Sequence, residues 1–221
     1  MIALLKKDFL TSRFSYTLLT LFVTLAIIGL SIVSKEGSIV IGTMGSAFIP
    51  LIVNKFASTE EMRKHYDVVM NSFPVKRSDV VISKFIFYLI IYFLTAALFM
   101  TITTLFNGLQ GFELSMFLFV NSLIFIYYIL FIGIPNAIFY CTDYEAYMKY
   151  SAIITIVIVN LPILGGVFLE KAFPGAKESL MKLMYNTSIY KSILIVLVFG
   201  LLLYIALMII SIVGYRKKDL A

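Results

Sequence analysis

The sequence has no tryptophan, one cysteine, one histidine and five prolines, and only 14% of its 221 residues are charged. A single cysteine, Cys141, excludes a disulfide scaffold. Too little charge and an apolar fraction of 61% exclude a disordered chain. Soluble domains hold roughly 45–50% apolar residues, and a water-soluble globule of this composition would expose more apolar surface than such proteins tolerate. Mean hydropathy is +1.00. What remains is a polytopic membrane protein. Its net charge of +6 then points to loops facing an anionic leaflet and not to nucleic acid.

Catalytic sets are missing as well. No H-E-x-x-H, G-x-S-x-G or paired intramembrane carboxylate occurs. His65 lies in the charged run Glu60-Glu61-Met62-Arg63-Lys64-His65 and reads as a solvated loop residue, because a metal needs several convergent ligands. Cys141 reads as a small packing residue. No G-x-x-x-x-G-K-[ST] is present, and Gly165-Gly166 lacks the following lysine, so nothing here cradles ATP phosphates. No Asp or Glu lies well inside an apolar stretch, which argues against a proton relay or a charged pore ring. Lys55, Lys84 and Lys191 fall at stretch ends, where lysine can snorkel.

What is present is a series of apolar stretches. A helix needs about 20 apolar residues to cross the hydrocarbon core. Six stretches qualify, near Ser15–Val33, Ser38–Phe56, Lys84–Phe106, Leu114–Phe139, Tyr150–Leu169 and Tyr190–Val213. The expected fold is an all-α membrane protein with six transmembrane helices in a single transmembrane domain. The second stretch is the weakest, with Gly42, Gly45, Ser46 and Pro50; the fourth is long, and Pro135 offers a bend. No cleavable signal peptide is evident, so the first stretch is expected to persist as a helix. Of the 18 Lys and Arg residues, 13 fall on the side of the N-terminus and 5 on the other, which places both termini in the cytoplasm. Without tryptophan, tyrosine must supply the interfacial anchors, and Tyr140, Tyr144, Tyr147 and Tyr150 cluster suitably.

Polar residues within the stretches are mild. Thr17, Thr20 and Thr24 recur at helical spacing, Gly42 and Ser46 form a small-x-x-x-small pair, and Asn121, Asn160 and Pro162 lie within the fourth and fifth stretches. Helix–helix packing explains them all. For Asn160 and Pro162 there is also a functional reading, a cavity-facing segment on a substrate path: Pro162 leaves the Ile158 carbonyl without its helical donor, which lipid does not tolerate.

The cytoplasmic loop 57–83 carries the most information. Ser58-x-x-Glu61 matches a capping box, so a short helix is expected to start there. Met62, Tyr66, Val69 and Met70 then form one apolar stripe. The helix should stop before Pro74, and Ser78 resembles the cap of the third span. A short amphipathic helix between spans 2 and 3 reads as a solvated or surface helix, or as a coupling helix that docks a partner.

Here the residues resemble a family. Glu60-Glu61, then Asn71-Ser72-Phe73-Pro74-Val75-Lys76-Arg77, then Ser83-Lys84 are similar to the loop of bacterial type-2 ABC exporter permeases, which carry N-S-L-P-[VI]-x-R followed by S-K. Phe73 replaces the usual leucine and keeps an apolar group before the proline. In size and pattern the chain is similar to the permeases of Gram-positive exporters of phenol-soluble modulins, which are amphipathic toxic peptides.

The resemblance implies a permease subunit in the bacterial plasma membrane, not itself an enzyme and without a cofactor of its own. ATP and Mg would be held by a separate ABC ATPase, and a second permease copy, identical or related, would complete the unit. It further implies that Glu60, Glu61, Met62, Tyr66, Val69 and Met70 lie in the ATPase groove, with a second contact from Asp143, Glu145 and Lys149. Residues 1–14 would form an interfacial helix along the inner membrane surface, and 170–189 an extracytoplasmic segment. The substrate would be hydrophobic or amphipathic. The rivals are a non-transport membrane protein, such as an immunity or regulatory factor, and a membrane enzyme, which the missing acid–base and metal sets disfavour.

Overall fold

The computed structural model describes residues 2–63, 76–142, 146–147, 149–150, 153, 156–157 and 189–217. Among these there are no strands and five long helices: α1 Ile2–Val33, α2 Lys35–Arg63, α3 Arg77–Asn107, α4 Gly111–Cys141 and α5 Ile189–Lys217. Each holds a segment long and apolar enough to cross a membrane, namely Ser12–Val33, Lys35–Asn54, Arg77–Asn107, Glu113–Cys141 and Ile189–Lys217. A helix is what such segments must form, because it satisfies every backbone group within itself where water is absent. Most of the expected span Tyr150–Leu169, and the segment 170–188, lie outside the described residues.

Short connections set the helix directions. Ser34 alone joins α1 to α2, and its Oγ accepts the Gly37 N–H at 3.2 Å as an N-cap. That cap starts α2 at Lys35, one turn before the expected Ser38. At the other end of α3, Gly108 sits at φ 60° and its N–H reaches the Thr104 carbonyl. This left-handed cap favours glycine and turns the chain into α4. Two ends of the bundle follow. The near end holds Ile2, Arg63, Arg77, Cys141 and Lys217; the far end holds Val33, Lys35, Asn107, Gly111 and Ile189.

Three boundaries differ from the sequence expectation. Helix α1 runs unbroken from Ile2 to Val33, so the N-terminal helix 1–14 and the first span are one element. Helix α2 passes through Ser58 to Arg63 without a break, so Ser58-x-x-Glu61 marks no helix start. A capping box needs its serine extended, and here the preceding turns already supply helical carbonyls to the amides it would cap. Helix α3 is capped at Lys76 and not at Ser78, because Lys76 is the extended residue (φ −67°, ψ 134°) and its carbonyl accepts the Asp79 N–H at 2.9 Å.

Helix α2 packs on α1, α3 and α4, and α5 runs along α4 and also meets α3. Close approach depends on small residues. A Cβ on Gly45 would lie 2.7 Å from Val23 on α1 and 3.0 Å from Phe99 on α3; one on Gly42 would collide with Thr103. On α5, Gly200 and Gly214 lie against α4, at Phe125 and Cys141. The small-residue pairs that weaken the second stretch as an apolar run are thus its packing contacts. The apolar core is continuous through Phe85, Tyr88, Tyr92, Phe125, Tyr128, Ile132 and Tyr204, with a second cluster of Ile27, Ile49, Val53 and Phe99 beside α1.

Helices α4 and α5 are parallel. Ser115 meets Tyr190 at the far end, Gly200 meets Phe125 midway, and Tyr140 meets Tyr215 at the near end. Both run from far end to near end, so the connection 142–188 has to bring the chain back to the far end.

Candidate functional site

The near end gathers most of the described charged residues and the flanks of the loop that resembles a coupling element. The backbone of Glu60, Glu61 and Met62 lies in the last described turns of α2. Tyr66, Val69, Met70 and His65 lie outside the described residues, as do Asp143, Glu145, Asn160 and Pro162. Lys149 is helical and exposed. Residues 64–76 connect two helices that both continue into a membrane span, one on each side.

The first turns of α3 are anchored twice. Lys84 donates from Nζ to Asp8 Oδ1 on α1 at 2.9 Å, with side-chain exposures of 6% and 2%. Lys7 approaches the same oxygen at 3.1 Å. The expectation that Lys84 snorkels is therefore wrong: its ammonium is held by a buried carboxylate, a better partner than a distant interface. Nearly two turns before it, Arg77 donates to the Tyr215 carbonyl of α5 at 3.4 Å and lies 5.8 Å from the Tyr215 ring. Tyr140 of α4 packs edge-on to Tyr215 at 5.2 Å. So α3 meets α1 through Lys84, and α5 through Arg77, at the point where it leaves the loop.

Asp8 was not distinguishable in the sequence. It stands in Lys6-Lys7-Asp8 as one acid among bases, and its partner is 76 positions away. The only available signal was a carboxylate one turn before a span in an otherwise basic segment. Removing one member of a buried ion pair costs on the order of 3–5 kcal/mol, because the other charge is left in low dielectric.

The interior of the bundle is tied by tyrosines, a role that differs from the expected belt. Tyr128 donates to the Tyr88 carbonyl at 2.8 Å and Tyr204 to the Phe85 carbonyl at 2.6 Å. Tyr92 donates to the Asn121 carbonyl at 3.3 Å and stacks on Tyr128 at 4.4 Å. Tyr140, expected at the interface, is buried against α5, whereas Tyr150 is exposed. Ser46 Oγ donates to Asn121 Oδ1 at 3.4 Å, so that amide joins α2 to α4 as a helix–helix contact. Cys141 is exposed at the near end beside Gly214, and its Sγ donates to the Ile210 carbonyl at 3.8 Å.

These features describe a helical membrane bundle whose near-end loop leads into an anchored helix, α3. The family model described as ABC-2 family transporter protein matches residues 3–216. No curated protein and no solved structure matches the chain.

Proposed function

The chain belongs to the ABC-2 family of transporter proteins, and from that premise we propose that it is the permease of an ATP-driven exporter of hydrophobic or amphipathic peptides, similar to phenol-soluble modulins. Membership makes it a multi-pass membrane permease whose ATPase is a separate ABC subunit. The observation that carries the permease reading is the match over nearly the whole chain; the substrate class rests on apolar spans with few charges and on the resemblance of the loop. The geometry adds a lever: α2 is helical to Arg63 and α3 from Arg77, so force delivered to the ends of these two helices reaches two spans along unbroken helix.

In the working unit, two permease copies would stand on two ATPase subunits. The near end faces the cytoplasm, in keeping with Lys6, Lys7, Lys55, Arg63, Arg77, Arg216 and Lys217 gathered there. Six spans are proposed, with Tyr150–Leu169 the return crossing; the parallel run of α4 and α5 supports this. Glu60, Glu61, Met62, Tyr66, Val69 and Met70 would dock the ATPase, helped by Asp143, Glu145 and Lys149. ATP-driven closure of the partner would press the loop and shift α2 and α3, opening an apolar path outward or toward lipid.

The energy source is the first test. Inverted vesicles holding the permease and its ATPase are expected to take up a fluorescent amphipathic peptide when ATP is added. Vanadate should stop uptake and an uncoupler should leave it largely intact; the reverse pattern would contradict the reading. The path is the second. With Cys141 replaced, a cysteine at Asn160 is expected to react with a small polar thiol reagent in at least one nucleotide state, and one at Ile158 to react less. Equal, negligible labelling of both in every state would remove Asn160 and Pro162 from the path.

A further inference from the structure

We propose that Asp8 and Lys84 are positioning residues for transport: their buried ion pair makes α1 follow the first turns of α3 when the near-end loop is displaced. The inference rests on the exporter reading and names the contact by which the loop's motion would reach a helix it does not touch in sequence.

Three observations carry it. First, Lys84 lies two turns into α3, directly downstream of the loop, and its partner Asp8 lies one turn before the α1 span. Second, α1 is otherwise the least embedded helix. Only 6% of its span is buried, against 44% for α3 and 50% for α4. Phe14, Leu18, Leu21, Phe22 and Leu25 all face outward. Its inward face packs apolar side chains such as Val23 and Ile27 on α2 and α3, contacts that can slide in a way that a charged contact cannot. Third, the charged contact is buried: with side-chain exposures of 2% and 6%, parting the pair separates opposite charges in low dielectric. The Lys7–Asp8 contact lies within α1, and Asp8 Oδ2 is buried without a hydrogen-bond partner. Arg77, seven residues before Lys84, ties the same turns to α5. A push on α3 is therefore divided between α1 and α5 at its first two turns.

The test uses the full chain with its ATPase and separates a positioning role from a merely stabilising one. Asp8→Leu removes the buried carboxylate that Lys84 meets, and Lys84→Met leaves the buried Asp8 to Lys7 of its own helix, so both are expected to lower thermal stability, the first by more. The double variant removes both charges, and replacing a buried pair by apolar groups is often neutral for stability. It is therefore expected to regain wild-type stability and to retain the ATPase and its hydrolysis. Peptide export should nevertheless stay about tenfold or more below wild type. A double variant that exports like wild type would show that the pair only holds the fold and would overturn the inference.

A second measurement does not depend on the variants folding. Spin labels at Phe9→Cys and Lys76→Cys, with Cys141 replaced, report the distance between α1 and the start of α3. That distance is expected to stay the same in the nucleotide-free and ADP–vanadate-trapped states. A change in it would mean that α1 does not follow α3, and the inference fails. Absence of any ATPase from the wild-type preparation would overturn the exporter reading, and this inference with it; normal export by the double variant would overturn this inference alone.

Discussion

Replacing Glu60 and Glu61 together by lysine is expected to abolish ATP-driven export while leaving the protein in the membrane at wild-type levels. Both residues belong to the helical backbone of α2 beyond its membrane span, which ends near Asn54. Glutamate and lysine have nearly equal helix propensities, so the helix itself should persist. What changes is the sign of two charges on the element proposed to enter the ATPase groove. Across an interface, placing like charges where opposite ones met costs several kcal/mol, and about 2–5 kcal/mol corresponds to a loss of binding of roughly 30-fold to several thousand-fold. Export should fall accordingly, since an unattached ATPase delivers no force. Export rate and membrane abundance, measured on the same vesicles, check this. Wild-type export by the double variant would place the docking surface elsewhere.

Gly45→Leu is expected to prevent α1, α2 and α3 from packing, with little folded protein recovered. The Cβ alone would stand 2.7 Å from Val23 Cγ1 and 3.0 Å from Phe99 Cε2. Phe99 is fully buried between Ile27, Ile49 and Val53 and has nowhere to turn. Overpacking a well-filled core costs about 1–3 kcal/mol even for small additions. Leucine adds a whole branched side chain at a point where three helices meet. Gly29→Leu is the control, because no atom lies within 4 Å of a Cβ there. Thermal unfolding in detergent should show Gly29→Leu near wild type and Gly45→Leu far below it. Equal stability of the two would mean that the small residues of α2 do not set the spacing of the helices.

Five of the six expected spans were plain in the sequence, because long apolar runs without charge have one structural solution in a membrane. The sequence showed much less of what joins them. Gly42, Gly45 and Ser46 lower the apparent quality of the second stretch, yet they are where α2 touches Thr103, Phe99 and Asn121. Ser58-x-x-Glu61 misled for the opposite reason: a local motif satisfies local amides only where the helix is not already running, and α2 was. Ser34, a single residue, is the working cap. Tyrosine was read by its usual place at the interface, but Tyr92, Tyr128 and Tyr204 reach backbone carbonyls on neighbouring helices. Periodicity shows that such residues share a face and does not say what that face meets. Asp8 and Lys84 illustrate the same limit across 76 positions.

The proposed mechanism turns on the loop between α2 and α3 docking a separate ATPase. A photo-crosslinking amino acid at Tyr66 tests it most directly, since that position lies on the apolar stripe read from the loop's sequence and the probe reports whatever it touches. Irradiation of native membranes is expected to attach the protein to an ATPase carrying a P-loop, with a yield that changes between nucleotide-free and ADP–vanadate-trapped states. Crosslinks to lipid alone, or to a partner without a P-loop, in every state would contradict the account.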